Sequence, residues 1–149
     1  MKPLIVLLVA FGVSLLLTKA FLPDATIALC GRIAMSAMLC FTAMGHFLYT
    51  RGMALMLPEV IPFRTGWVYL TGVIEAAAAI GLLINGMKAL TGWMLIIFFI
   101  LVLPANIYAA MRHLDYQSGS FNGKGLSYLW FRIPLQALFI AWTYLSAVK

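Results

Sequence analysis

The sequence predicts an all-α membrane protein, and three observations carry that expectation. Apolar residues make up 64% of the 149 residues, above the roughly 45–50% of soluble domains. Charged residues are only 9%, and the mean hydropathy is +1.04. The apolar residues also gather into five stretches, each meeting the roughly 17–25 residues needed to cross a bilayer. A 16.4 kDa chain of this composition cannot bury its apolar surface in water, so lipid is the expected solvent. No internal repeat, charge run or low-complexity tract divides residues 1–149, so one polytopic membrane domain is expected.

The spans are taken in order. The first runs over residues 4–22 and stops at Pro23-Asp24; its length suits a spanning helix better than a short signal core. The second covers 25–50. A connection from Arg51 to Thr65 follows, too apolar for a free loop (Met53, Leu55, Met56, Leu57, Val60, Ile61, Phe63), while Pro58 and Pro62 prevent a long helix. It is expected to lie in the interface or fold back over the mouth of the helices. The third span covers 66–84 and ends at the turn Asn85-Gly86; the fourth covers 89–111. Asp115 to Gly125 reads as a solvated turn region, and the fifth span covers 126–148.

Five spans place the two ends of the chain on opposite sides. Lys2, Arg51, Arg64, Arg112 and Lys124 fall on the N-terminal side; Lys19, Lys88 and Lys149 fall on the other, with Arg32 reaching back to it. The excess predicts a cytoplasmic N-terminus. The net charge of +6 therefore reads as topological anchoring and attraction to anionic lipid rather than a nucleic-acid face, since no basic cluster is present. Cys30 and Cys40 lie about 15 Å apart along one helix, too far for a disulfide within it, and read as small buried residues.

Against this apolar background, five polar residues are the candidate site: His46, Glu75, Asn106, Arg132 and Gln136. Counting about 1.5 Å per helical residue from the span ends places all five in one leaflet, roughly 6–15 Å from its boundary. Ionisable groups at such depth are costly and usually face other helices or a cavity. Glu75 sits among Gly72, Ala76 and Ala79, a small-residue strip that lets helices approach closely. Arg132 is its expected partner, because a guanidinium can bind a carboxylate in a bidentate way. Pro104 frees the carbonyl of Ile100 and Pro134 that of Trp130, so a polar pocket beside them is one outcome. The other is that Asn106 and Gln136 merely satisfy those carbonyls. His46, with Thr42 and Tyr49 on its face, is either a hydrogen-bonded interior histidine or a ligand contact. No metal site is expected, for no second ligand stands at metal-binding spacing. A GxxxxGK[ST] loop, HExxH, CxxCH and GxSxG are all absent.

The order of short motifs resembles the DoxX-like family of small bacterial membrane proteins. These are GHF at 45–47, LPEVIP at 57–62, LTGVIEAAAAIGLL at 70–83, LPANIYAA at 103–110 and FRIPLQ at 131–136, followed by Trp142 and Tyr144. The resemblance covers about residues 32–145 and implies a four-helix transmembrane bundle in the bacterial inner membrane, to which this chain adds a leading helix. It further implies a quinone- or quinol- or lipid-binding accessory subunit of a membrane redox complex, with partner subunits supplying electrons, rather than a self-sufficient enzyme. Two other functions fit the residues alone: a non-catalytic assembly protein whose Glu-Arg-Asn-Gln cluster is structural, and a small-solute transporter. A homo-oligomer is compatible with each.

Overall fold

The computed structural model describes residues 2–21 and 26–149, and these are helical, linked by turns. The expected stop at Pro23-Asp24, and the adjoining ends of the first two spans at Leu22 and Ala25, lie outside the described residues. Six helices follow in order: α1 Lys2–Phe21, α2 Ile27–Leu48, α3 Thr50–Ala54, α4 Arg64–Gly81, α5 Lys88–Met111 and α6 Leu129–Thr143. A 3-10 turn, Gly125–Tyr128, leads into α6, and a π turn, Tyr144–Val148, extends it. Among the described residues the only β pairing is a single bridge between Asp115 and Ser120.

Helix α2 is the central element, touching α1, α4 and α6. Thr26 caps its start, accepting a hydrogen bond from the Leu29 backbone N–H at 3.3 Å. Its buried face carries Ala34, Met35, Met38 and Leu39, which pack with Leu7 of α1, Ala79 of α4, Leu95 and Phe99 of α5, and Leu135 and Phe139 of α6. Polar stitches add to this core. Ser14 of α1 donates to the Cys30 carbonyl at 3.3 Å, and the Thr18 hydroxyl meets the Cys30 sulfur at 3.4 Å. Trp142 donates its indole N–H to the Gly31 carbonyl at 3.0 Å, with Phe11 edge-on to the indole. Cys30 is buried as expected, but Cys40 is exposed.

The outward faces are as apolar as the core. Leu16, Ile27, Leu101 and Trp130 are each more than two-thirds exposed, and comparable side chains cover every long helix. An apolar surface of this extent is compatible with a lipid bilayer. Four segments are long and apolar enough to cross a bilayer: α1, α2, α5 and the continuous run Gly125–Val148. Helix α4, which coincides with the third expected span, is not among them, because Arg64 and Glu75 depress its hydropathy. It packs one face against α2.

Helices α1 and α4 each begin two residues earlier than expected, at Lys2 and Arg64, and two C-termini differ as well. The second span stops at Leu48 rather than residue 50, because the chain turns at Tyr49 into the short α3. The third helix ends at Gly81 rather than residue 84. There Arg32, 5% exposed, donates to the carbonyl of Leu82 at 3.3 Å and to the Asn85 side chain at 3.2 Å. A cation at a helix C-terminus satisfies orphan carbonyls and the negative end of the helix dipole. The connection after α3 folds back on α4, with Val60 and Phe63 fully outward and Glu59 exposed, 3.8 Å from Arg112.

Candidate functional site

The site starts from a glycine. At Gly72 of α4 a β-carbon would stand 2.8 Å from the β-carbon of His46, so only glycine lets α2 and α4 come this close. That approach lays the imidazole along α4. Its Nδ1 is 3.1 Å from the Val68 carbonyl and 3.1 Å from the Thr71 hydroxyl oxygen. Thr71 already donates its own proton back to α4, to Val68 at 2.9 Å or Trp67 at 3.0 Å. Both neighbours of Nδ1 therefore accept, which assigns the proton to Nδ1.

One turn further along α4 is Glu75, 7% exposed. Its Oε1 stands 3.5 Å from His46 Nε2. With Nδ1 protonated, Nε2 offers either a lone pair or a second proton. Nε2 and Oε1 therefore face each other as the polar contact between α2 and α4 at this level. The second carboxyl oxygen, Oε2, is buried and has no hydrogen-bond partner among the described residues. So is Nε of Arg132.

Both residues line one cavity of about 50 Å³, with Thr42 and Gln136 completing its polar wall. Met38, Phe98, Phe99, Val102, Phe139 and Pro3 form the apolar remainder. At about 10–15 Å³ for each water, the space suits a few waters, and the unpartnered carboxyl and guanidinium atoms offer them polar contacts. It is far below the roughly 300–1,000 Å³ of a ligand pocket that encloses a ring system. The oxygen end of a larger ligand fits; the ring does not.

The five sequence-predicted residues divide. Glu75, Arg132 and Gln136 meet at the cavity, and His46 backs Glu75 from α2. The expected Glu75–Arg132 ion pair is corrected: Glu75 faces His46, and Arg132 is across the cavity without an ion-pair partner among the described residues. Asn106 is buried but stands apart, donating to Val102 of its own helix at 2.9 Å. Gln136 donates to the Phe99 carbonyl, linking α6 to α5. Neither amide reaches the carbonyls of Ile100 or Trp130 that the two prolines free. Asn106 bonds one turn back along its own helix, and Gln136 meets the neighbouring carbonyl of the turn that Pro104 disturbs.

Thr71 and Pro3 were not foreseen as neighbours of the site. Thr71 precedes Glu75 by one helical turn, as Thr42 precedes His46, so the threonine four residues before Glu75 is the signal that points to it. Among the described residues no cluster of His, Cys, Asp and Glu could hold a metal ion.

Residues 35–147 match the model of a family described as a domain of unknown function (DUF8561). The match spans most of the chain and all five candidate residues, and the chain belongs to this family. No curated protein and no solved structure matches it.

Proposed function

We propose that this member of the DUF8561 family is a five-span, multi-pass protein of the bacterial inner membrane. In this reading its intramembrane cavity takes the polar end of a quinone, quinol or lipid as an accessory subunit of a redox complex. The N-terminus is cytoplasmic, α4 is the remaining span held in a bundle by α2, and partner subunits supply the electrons. One observation carries the reading: a buried carboxyl oxygen of Glu75 and a buried guanidinium nitrogen of Arg132, both unpartnered, border a single cavity. A purely structural clasp would close that gap by pairing the two. An open gap between a carboxyl–imidazole pair and a fixed cation suits an oxygen that gains and loses a proton. Arg132 holds the oxygen, and Glu75 with His46 exchanges its proton. The DoxX-like order of motifs supports the redox setting by analogy.

The test is mass spectrometry of lipophilic molecules retained by protein purified in mild detergent. Wild type is expected to retain a quinone or a lipid, and Glu75→Gln and Arg132→Gln to lose it while staying helical. Wild type without either molecule overturns the reading.

A second reading is favoured by Gln136 and Asn106, whose amide donors are both spent on backbone carbonyls, and by the small cavity. On that reading the cluster locks helices in an assembly protein, and the same two variants unfold rather than lose a ligand.

A further inference from the structure

At the same end of the molecule, outside the intramembrane cavity, lies a second hollow of about 350 Å³, bounded by the end of α2, α3, Tyr69 of α4 and residues 116–119. Its volume lies within the range of small-ligand pockets. One wall is seated on a glycine: a β-carbon at Gly52 would collide with the Tyr116 carbonyl oxygen, so the 116–119 turn rests on the backbone of α3. The chemistry is one-sided. Arg51 supplies a cation, and the two ion pairs among the described residues do not use it. Tyr49, Tyr69 and Tyr116 supply phenols, and no carboxylate lines the space. Burial, then the neighbouring Tyr128, pushes the Tyr116 phenol above its ordinary range, so it remains a neutral donor at physiological pH. On another edge Phe47 and Leu48, at the end of α2, are about half and two-thirds exposed.

We propose that this interfacial hollow binds a phosphate ester, with Arg51 and the tyrosine phenols on the phosphate oxygens. A guanidinium and hydroxyl donors suit a phosphate, tyrosines belong at headgroup depth, and the apolar edge continues along the path of an acyl chain. The proposal is independent of the Glu75 cavity.

Native mass spectrometry of the full chain tests it with two probes, short-chain phosphatidylglycerol and glycerol 3-phosphate. Losing a charge-assisted contact costs about tenfold in affinity, so Arg51→Gln is expected to weaken binding about tenfold. Lys124→Gln, which removes an exposed charge from the same end outside the hollow, should leave it unchanged. Gly52→Ala, lifting the 116–119 wall, should weaken binding with Arg51 intact. A response confined to the lipid identifies a headgroup as the source; an equal response to glycerol 3-phosphate identifies a soluble ester. Absence of binding, or equal weakening by Arg51→Gln and Lys124→Gln, overturns the proposal.

Discussion

Glu75 is held by a neighbour on another helix, and its two oxygens have different surroundings: one faces His46, the other opens on the cavity. Replacing it therefore separates size from charge. Glu75→Gln keeps the volume and a hydrogen-bonding group, and is expected to cost no more than about 1–2 kcal/mol. Glu75→Ala removes the same charge and also opens a void beside His46, and is expected to cost about 2–5 kcal/mol. Unfolding in mixed detergent compares the two directly. Outside the span, Tyr116 gives a pH dependence of definite sign. Its phenol is raised above the ordinary value near 10 by burial and then by Tyr128, so between 10 and the folded value the folded state binds more protons than the unfolded. Its contribution is complete below pH 10 and is lost as pH rises through the folded value. Tyr116→Phe is expected to flatten stability against pH in that alkaline window, measured by the same unfolding assay.

At the scale of elements, the α2–α4 contact positions the site. Gly72→Ala places a methyl 2.8 Å from the His46 β-carbon and must push the helices apart, at a cost of about 1–3 kcal/mol. It should also loosen the His46–Glu75 pair, so a loss of stability together with ligand loss is expected, and an unchanged protein would show that the close approach is not needed. This contact also marks where reading the sequence succeeded and where it stopped. The strip Gly72, Ala76, Ala79 points to a close helix partner for α4, and depth counting puts Glu75, Arg132 and Gln136 in one leaflet; these three line one cavity. Depth says nothing about rotation around each helix axis. Arg132 has the right height, yet His46 is nearer Glu75 because Gly72 brings α2 in. Asn106 has the right height too, but its amide turns back to Val102. Helix ends were less legible than helix centres. Tyr49 turns the chain into α3 and Leu82 presents its carbonyl to Arg32, events set by tertiary contacts that apolar periodicity does not record.

On the scale of the whole molecule, the lipid-facing surface and the polar cavity belong to one design. Pro3 at the start of α1, Thr42 late in α2, Glu75 in α4, Val102 late in α5 and Arg132 early in α6 border the same space. All five long helices therefore contribute to one space. Reporter fusions at the two ends of the chain are expected to report opposite sides, with the N-terminus cytoplasmic; the same side for both would leave α4 outside the count of spans. The central claim concerns the gap between Glu75 and Arg132. An experimental density map of the protein in lipid tests it most directly. Ordered density bridging Glu75 Oε2 and Arg132 Nε, from water or from the oxygen end of a bound molecule, is the result expected. A dry cavity, or the guanidinium closed directly onto the carboxylate, would contradict it.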